Sequence, residues 1–469
     1  MGLTLIEKIW QEHEIINRDD GNSLIYIDRI FLHERTGSIA LKNLENANRI
    51  VRNPSHVFCT MDHIVDTFPG RGDKTLMPNG KEFIVSTRSS AEKTGINLFD
   101  LGNPNQGIVH VVSPEQGIAL PGVTLVCPDS HTCTVGGLGS LGWGIGSSEC
   151  EHALSTSTLT VKKPKMMKVI FDGALPLGVT AKDLILHLIQ KFGASGGTGY
   201  AIEFSGPVVK NLEIEARLTL CNMAVEFGAW TGIVAPDAKT FEYISERPFA
   251  PEGLAYDKAL AHWKNLRSDK DAHFDEILRI DCSTMTPFVT WGTSPQHAIP
   301  IDNSIPDPAG ETNSSAKQSM QRALQYMDLN PGTKMKDITI DAAFIGSCTN
   351  SRLSDLRAAS AVLKDRKVAS GVKAICVPGS SQVKLEAEKE GLDQIFKAAG
   401  FEWRESGCSM CFFAGGESFG EKQRVITTTN RNFENRQGKR TRSHLASPET
   451  VAASAVSGKL NDAKSLGIG

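Results

Sequence analysis

The chain has 469 residues, 40% hydrophobic and 22% charged, and 50 basic against 53 acidic side chains give a net charge of −3. That length supports two to four domains with ample core, and the near-even balance offers no global field for nucleic acid or an anionic membrane. No apolar run approaches about 18 residues, so no segment is expected to span a membrane.

Ten cysteines scatter without the spacing of a disulfide framework, and no charged-then-apolar leader opens the chain. Reduced thiols and a cytoplasmic location are expected.

Apolar residues at Leu5, Ile6, Ile9 and Trp10 predict a helix over 3–16, stopped by Asp19-Asp20-Gly21-Asn22. A strand is expected over 24–28, after which His33-Glu34 reads as a surface or capping pair. The run 57–61 reads as a strand that delivers Asp62-His63 at its end. An aspartate beside a histidine orients the imidazole and raises its pKa, as a proton donor requires. After a helix expected over 90–101, residues 108–112 read as a buried strand with His110 inside it. Residues 123–127 read as another strand, ending in Pro128-Asp129-Ser130-His131-Thr132. A histidine in an apolar run is by itself an ordinary core residue. Three titratable clusters within about seventy residues, two of them at strand ends, point to one site.

Gly137-Leu138-Gly139-Ser140-Leu141-Gly142 matches G-x-G-x-x-G, but 155–163 contains no acid where a dinucleotide fold needs one, so these glycines are read as close-packing positions. The basic run Lys162-Lys163-Pro164-Lys165 marks a first boundary. Beyond it come a strand over 166–171, a helix over 181–192, a glycine-rich loop and a strand over 200–204. Glu203 inside that short apolar strand needs a partner, such as a histidine or metal-bound water, unless the strand edge leaves it in solvent. A helix over 212–227, a strand over 231–234, a helix over 256–263 and a strand over 277–280 complete this region.

Four prolines in 295–308 mark the second boundary. The remainder alternates: helix 315–327, a strand ending at Ile345, helix 355–363, strand 374–377, then Pro378-Gly379-Ser380-Ser381 entering a helix as a cap or an anion cradle. The expected class is α/β, with mostly parallel sheets in three domains, 1–165, 166–300 and 301–469.

The last of these carries Gly346-Ser347-Cys348-Thr349-Asn350-Ser351 and Gly407-Cys408-Ser409-Met410-Cys411. Alone, Cys-x-x-Cys fits a zinc half-site, a redox dithiol or unrelated buried thiols. With Cys348 it makes three thiolates. Electron-transfer iron–sulfur clusters ordinarily take four protein ligands, so three leave an iron open as a Lewis acid.

Further segments join these: Gly107-Ile108-Val109-His110, Pro114-Glu115-Gln116-Gly117, Gly196-Gly197-Thr198-Gly199, Cys221-Asn222-Met223, Val289-Thr290-Trp291-Gly292-Thr293 and Asn430-Arg431-Asn432-Phe433. In this order, and over nearly the whole length, the chain resembles the isopropylmalate dehydratase large-subunit branch of the aconitase superfamily. The resemblance implies three aconitase-like domains around a central [4Fe–4S] cluster held by Cys348, Cys408 and Cys411, with the fourth iron open to substrate. It implies reversible dehydration and rehydration of a malate-type hydroxy acid, 2-isopropylmalate to 3-isopropylmalate in leucine biosynthesis. Methylmalate or citraconate, dimethylmalate and homoaconitate are the alternative substrates.

By the same resemblance Asp62 and His63 assist the leaving hydroxyl, while His110, Asp129, His131 and Glu203 form the surrounding proton network. Ser130, Asn430, Arg431 and Arg436 face substrate or cluster. A small subunit, the swivelling domain of the family, is implied as the partner that supplies a catalytic serine base. A cluster-bearing RNA-binding or iron-sensing regulator is the alternative of another class, against which stand the near-neutral charge and the intact acid–base set. The chain departs from the family pattern at Thr36-Gly37-Ser38-Ile39-Ala40-Leu41, Ile64, Asp66, Phe412-Phe413-Ala414-Gly415 and Asn435, departures that bear on which acid is turned over.

Overall fold

Three all-parallel sheets organise the molecule, in a computed structural model that describes residues 2–18, 20–411 and 416–468. Asp19 of the expected helix stop and the departure at Phe412-Phe413-Ala414-Gly415 lie outside the described residues. The first sheet has the spatial order Asn97–Phe99, Val57–Thr60, Arg29–His33, Thr124–Cys127, Leu141–Gly144. The second runs Thr231–Val234, Tyr200–Ser205, Lys165–Asp172, Glu276–Asp281. The third runs Phe401–Trp403, Lys373–Cys376, Ala342–Ile345, Arg424–Thr427, Arg442–Leu445. Two small antiparallel ribbons accompany them. The class is therefore α/β. Among the described residues no helix is long and apolar enough to cross a membrane.

Every residue of Val57–Thr60, Ala342–Ile345 and Arg424–Thr427 is buried. Strands covered on both faces read as continuous apolar runs rather than alternating ones, which is why short hydrophobic stretches mark them in the sequence. The helices between them announce their ends. Leu5–His13 starts at the Thr4/Glu7 capping box and buries Leu5, Ile6, Ile9 and Trp10. Each such burial stabilises the fold by about 1.5–3 kcal/mol. Ala181–Phe192 starts at Thr180 and stops at Gly193, whose φ of 82° suits glycine. The Gly137 region packs closely, as expected: a Cβ on Gly136 would stand 1.8 Å from the Gly232 carbonyl oxygen, and one on Gly137 2.7 Å from the Leu218 nitrogen.

Three local expectations change. His110 lies not in a strand but in the helix Val109–Glu115, because Val109 N–H is captured by the Asp62 carboxylate at 2.9 Å and the run turns helical from there. The helix expected over 90–101 is Gly80–Thr94, ended by Gly95, and the apolar run beyond it is the edge strand Asn97–Phe99. The helix expected over 212–227 divides into Ile214–Asn222 and the 3₁₀ turn Val225–Phe227.

In the first sheet the chain grows outward from Arg29–His33 on both sides, so the strand order reverses between it and Thr124–Cys127. In the third it reverses between Ala342–Ile345 and Arg424–Thr427. Loops leaving the carboxyl ends of strands at such points diverge and open a crevice where ligands bind.

Candidate active site

Residues at or beyond the carboxyl ends of strands in the first and third sheets line one cavity of about 320 Å³. From the first sheet come His33, His63, His110, Asp129, Ser130 and His131; from the third come Cys348, Cys408, Cys411, Arg431 and Arg436. A larger cleft of about 610 Å³, bordered by Glu115, Glu215 and Arg247, has no thiol or imidazole in its wall.

On the first side, charges fix one another. His63 Nδ1 lies 2.7 Å from Asp62 Oδ1, and its Nε2 lies 3.4 Å from Asp129 Oδ2. Burial opposes a charge on this imidazole, but Asp62, the Cys408 sulfur and Asp129 together hold its pKa well above the ordinary value. Burial likewise opposes ionisation of Asp129, yet His110, whose Nε2 is 2.8 Å away, His131 and His63 bring its pKa well below the usual carboxylate range. Asp129 Oδ1 also accepts from His131 N–H at 2.8 Å. The result is an ionised carboxylate shared by three histidines.

Two residues absent from the expected site support this wall, His33 by lining it and Glu34 from behind. His33 stacks on His63 with ring centroids 3.9 Å apart, and Glu34 is fully buried, accepting the N–H groups of Asp62 (3.0 Å), Ile64 and Val65. Burial raises the pKa of Glu34 to about 7 and lowers that of His33 to about 3. The pair is therefore no surface cap. The chain leaves the 22–26 strand, turns, and enters the central strand Arg29–His33, which ends on His33, while Glu34 opens the helix Glu34–Asn46 that follows, and both are buried there.

Glu203 is not in this group. Its carboxylate, midway along Tyr200–Ser205, meets Ser268 Oγ and lies 3.6 Å from Lys168 Nζ. The acid that faces the cavity network is Glu226, on the turn Val225–Phe227, with Oε1 2.9 Å from His131 Nε2 and 2.7 Å from Arg431 Nε. The nearest sequence signal was Cys221-Asn222-Met223, just ahead of it.

On the third side amide, hydroxyl and guanidinium groups surround the sulfurs of Cys348 and Cys411. Cys348 Sγ receives Asn222 Nδ2 at 3.2 Å and Asn430 Nδ2 at 3.4 Å; Cys411 Sγ meets Ser347 Oγ at 3.2 Å and Arg436 Nη2 at 3.7 Å. Cys408 Sγ lies 3.6 Å from Asp62 Oδ2, which joins the two sides. Among the described residues Asn430 Oδ1 is buried without a partner, and Ser130 Oγ lies 3.4 Å from His131 Nδ1. Burial pushes the Cys348 thiol up to about 12 and that of Cys408 well above its ordinary value, so these thiols stay protonated until a metal supplies compensating charge.

The donor set fits an iron–sulfur group better than a single ion. Two thiolates on one zinc, at about 2.3 Å each, stand no more than about 4.6 Å apart. Among the described residues, the one group of histidine, cysteine and acidic ligand atoms all within 4.8 Å of one another is His33, Glu34, Asp62 and His63, not the three sulfurs. In that group the Glu34 oxygens already accept backbone amides and Asp62 accepts from Val109 N–H while facing His63, so it reads as a hydrogen-bonded proton-handling set. Pro378-Gly379-Ser380-Ser381 acts as a cap: Ser380 Oγ accepts from Val383 N–H at 3.0 Å.

Known proteins resemble this chain to different degrees. The 3-isopropylmalate dehydratase large subunit 1 of Bradyrhizobium diazoefficiens is 50% identical over 465 residues, covering 99% of this chain and 97% of that protein. Among solved structures, Thermococcus kodakaraensis aconitase X in its holo form matches with a TM-score of 0.46 and 12% identity, over 87% of this chain and 84% of its own. The profile of the aconitase family (aconitate hydratase) matches residues 7–458, and the chain belongs to that family of hydro-lyases.

Proposed function

We propose that the chain is the large subunit of an iron–sulfur hydro-lyase that interconverts 2-isopropylmalate and 3-isopropylmalate in cytoplasmic leucine biosynthesis. The observation that carries this reading is the single cavity in which three cysteines of the third sheet face the His63–Asp129–His110 network of the first. The half-identity to a named 3-isopropylmalate dehydratase large subunit supports the substrate and the requirement for a small subunit. Cys348, Cys408 and Cys411 would hold a [4Fe–4S] cluster, which would supply a Lewis acid toward the hydroxyl and carboxylate oxygens of the substrate.

His63, its Nδ1 turned to Asp62, carries a proton on Nε2 and delivers it to the departing hydroxyl. Asp129 holds His110, His63 and the His131 backbone in register, so the released water stays on a wall of fixed hydrogen-bonding groups. Glu226 sets both His131 and Arg431. The guanidinium forks of Arg431 and Arg436 suit the two carboxylates of a malate-type acid, and Asn430 and Ser130 add neutral contacts. The carbon-bound proton is removed by a serine on the swivelling small subunit.

The test is anaerobic reconstitution of the chain with iron, sulfide and the small subunit, followed by assay against 2-isopropylmalate, citraconate, dimethylmalate and homoaconitate. The expected result is a brown, iron-containing protein with its highest kcat/KM on isopropylmalate. A colourless zinc protein overturns the cluster, full turnover without the small subunit overturns the partner, and preference for another acid overturns the substrate.

A further inference from the structure

Lys182 is the second residue of the helix Ala181–Phe192 and is completely buried. Both circumstances oppose it, since an ammonium is expensive out of water and the first turn of a helix is the positive end of its dipole. Burial lowers its pKa to about 7, while Asp355, Cys348, Cys411 and Asp183 pull it the other way.

The ammonium is nonetheless tightly held. Its Nζ donates to the carbonyl oxygens of Thr428 at 2.8 Å and Thr429 at 2.6 Å, and to Asn350 Oδ1 at 3.5 Å. These acceptors belong to the two loops that leave the switch-point strands of the third sheet. Asn350 stands two residues after Cys348, and Thr429 immediately precedes Asn430. Neighbouring Asp183 is engaged elsewhere: Oδ1 accepts from Phe288 N–H at 2.7 Å, and Oδ2 accepts from Thr180 N–H and Oγ1 at 2.8 Å each. Asp355 is likewise engaged, by Asn350 Nδ2 and Arg352 N–H. A lysine here therefore has carbonyl partners and, among the described residues, no directly paired carboxylate, and it reaches both loops that flank the cysteine site.

We propose that Lys182 is a positioning residue for the three-cysteine site: its Nζ ties together the loop bearing Cys348 and the loop bearing Asn430, and so holds the ligand arrangement that an iron–sulfur group needs. This rests on the cluster reading above.

Lys182→Met keeps the apolar stem and removes the charge and the donors; Lys182→Gln is the milder change, keeping an N–H donor without the charge. After anaerobic reconstitution, both variants are expected to release iron to a chelator about tenfold faster than wild type, or more, as loss of an outer-shell partner does. The melting temperature separates this role from simple packing. The gap between wild type and variant should be wider for the reconstituted chains than for the iron-free ones, whereas a purely structural lysine lowers both forms equally. Iron release at the wild-type rate from both variants, or equal gaps in melting temperature, overturns the proposal. A wild-type chain that takes up no iron overturns the cluster reading instead, and the two failures are distinguishable.

Discussion

The first and third sheets solve the same backbone problem and deliver different chemistry. Each has five parallel strands growing outward from a central pair, and each opens a crevice where the strand order reverses. The difference lies in the residues just beyond the strand ends. Met61-Asp62-His63 and Pro128-Asp129 place carboxylates against imidazoles, so charges are set by pairing and survive burial. Gly346-Ser347-Cys348 and Thr429-Asn430 place sulfur among amide and hydroxyl donors, with a lysine beneath. The first side is ready for proton transfer as it stands. The third offers thiols whose chemistry depends on the metal they bind.

The comparison breaks most severely at sulfur. Cys408→Ala is expected to abolish both iron retention and turnover, measured by iron and sulfide analysis of anaerobically purified protein. If iron content and activity persist, the third side is not a ligand set. Next in size is Asp62→Asn, which removes the charge that keeps His63 protonated. The expected loss is about 10²- to 10⁴-fold in kcat with little change in KM, read by steady-state assay of the reconstituted heterodimer. An equal loss with iron depleted would assign Asp62 to Cys408 rather than to His63.

Glu226→Gln weakens two charge-assisted hydrogen bonds and should lower kcat/KM by roughly ten- to a hundredfold. Glu203→Gln, buried against Ser268 and Lys168, should leave kcat/KM unchanged. Reversal of that ranking would restore Glu203 to the site.

The smallest effect is one of stability. Glu449, at the start of the helix Pro448–Ser457, has its pKa raised to about 7 by burial, with Asp183 and Asp355 adding to it. A carboxyl whose folded pKa exceeds its unfolded value favours folding in its neutral form, so this stability is present at low pH and is lost as pH rises from about 4.5 to about 7. Glu449→Gln should flatten that slope and stabilise the chain above pH 7 by on the order of 2 kcal/mol, seen in urea melts at pH 5 and pH 8. Parallel pH slopes for the two proteins would refute it.

Much of the architecture was legible because helix-covered parallel strands leave unbroken apolar runs. The helix Ala181–Phe192 emerged with its expected bounds, since Thr180 and Gly193 are local signals that act within one turn. His110 was misplaced because Val109-His110-Val111-Val112 is ambiguous by pattern, and the decision came from the Asp62 carboxylate 47 residues away in sequence. His33-Glu34 was underrated because burial of the pair depends on the turn that routes the chain into the central strand, at whose end the helix Glu34–Asn46 begins. Glu203 and Glu226 could not be ranked by composition, as both precede a phenylalanine in an apolar setting.

By itself the sequence determined the alternation of strands and helices, the residues available at each strand end and the count of three cysteines, because these depend on local pattern and covalent order. Only the tertiary structure decided that the two switch points face one cavity, that Glu226 rather than Glu203 meets His131, and that Lys182 lies beneath the cysteine loops. Such relations join residues as distant in sequence as Asp62 and Cys408, 346 positions apart, and distance across a fold depends on how sheets pack, which no local pattern encodes.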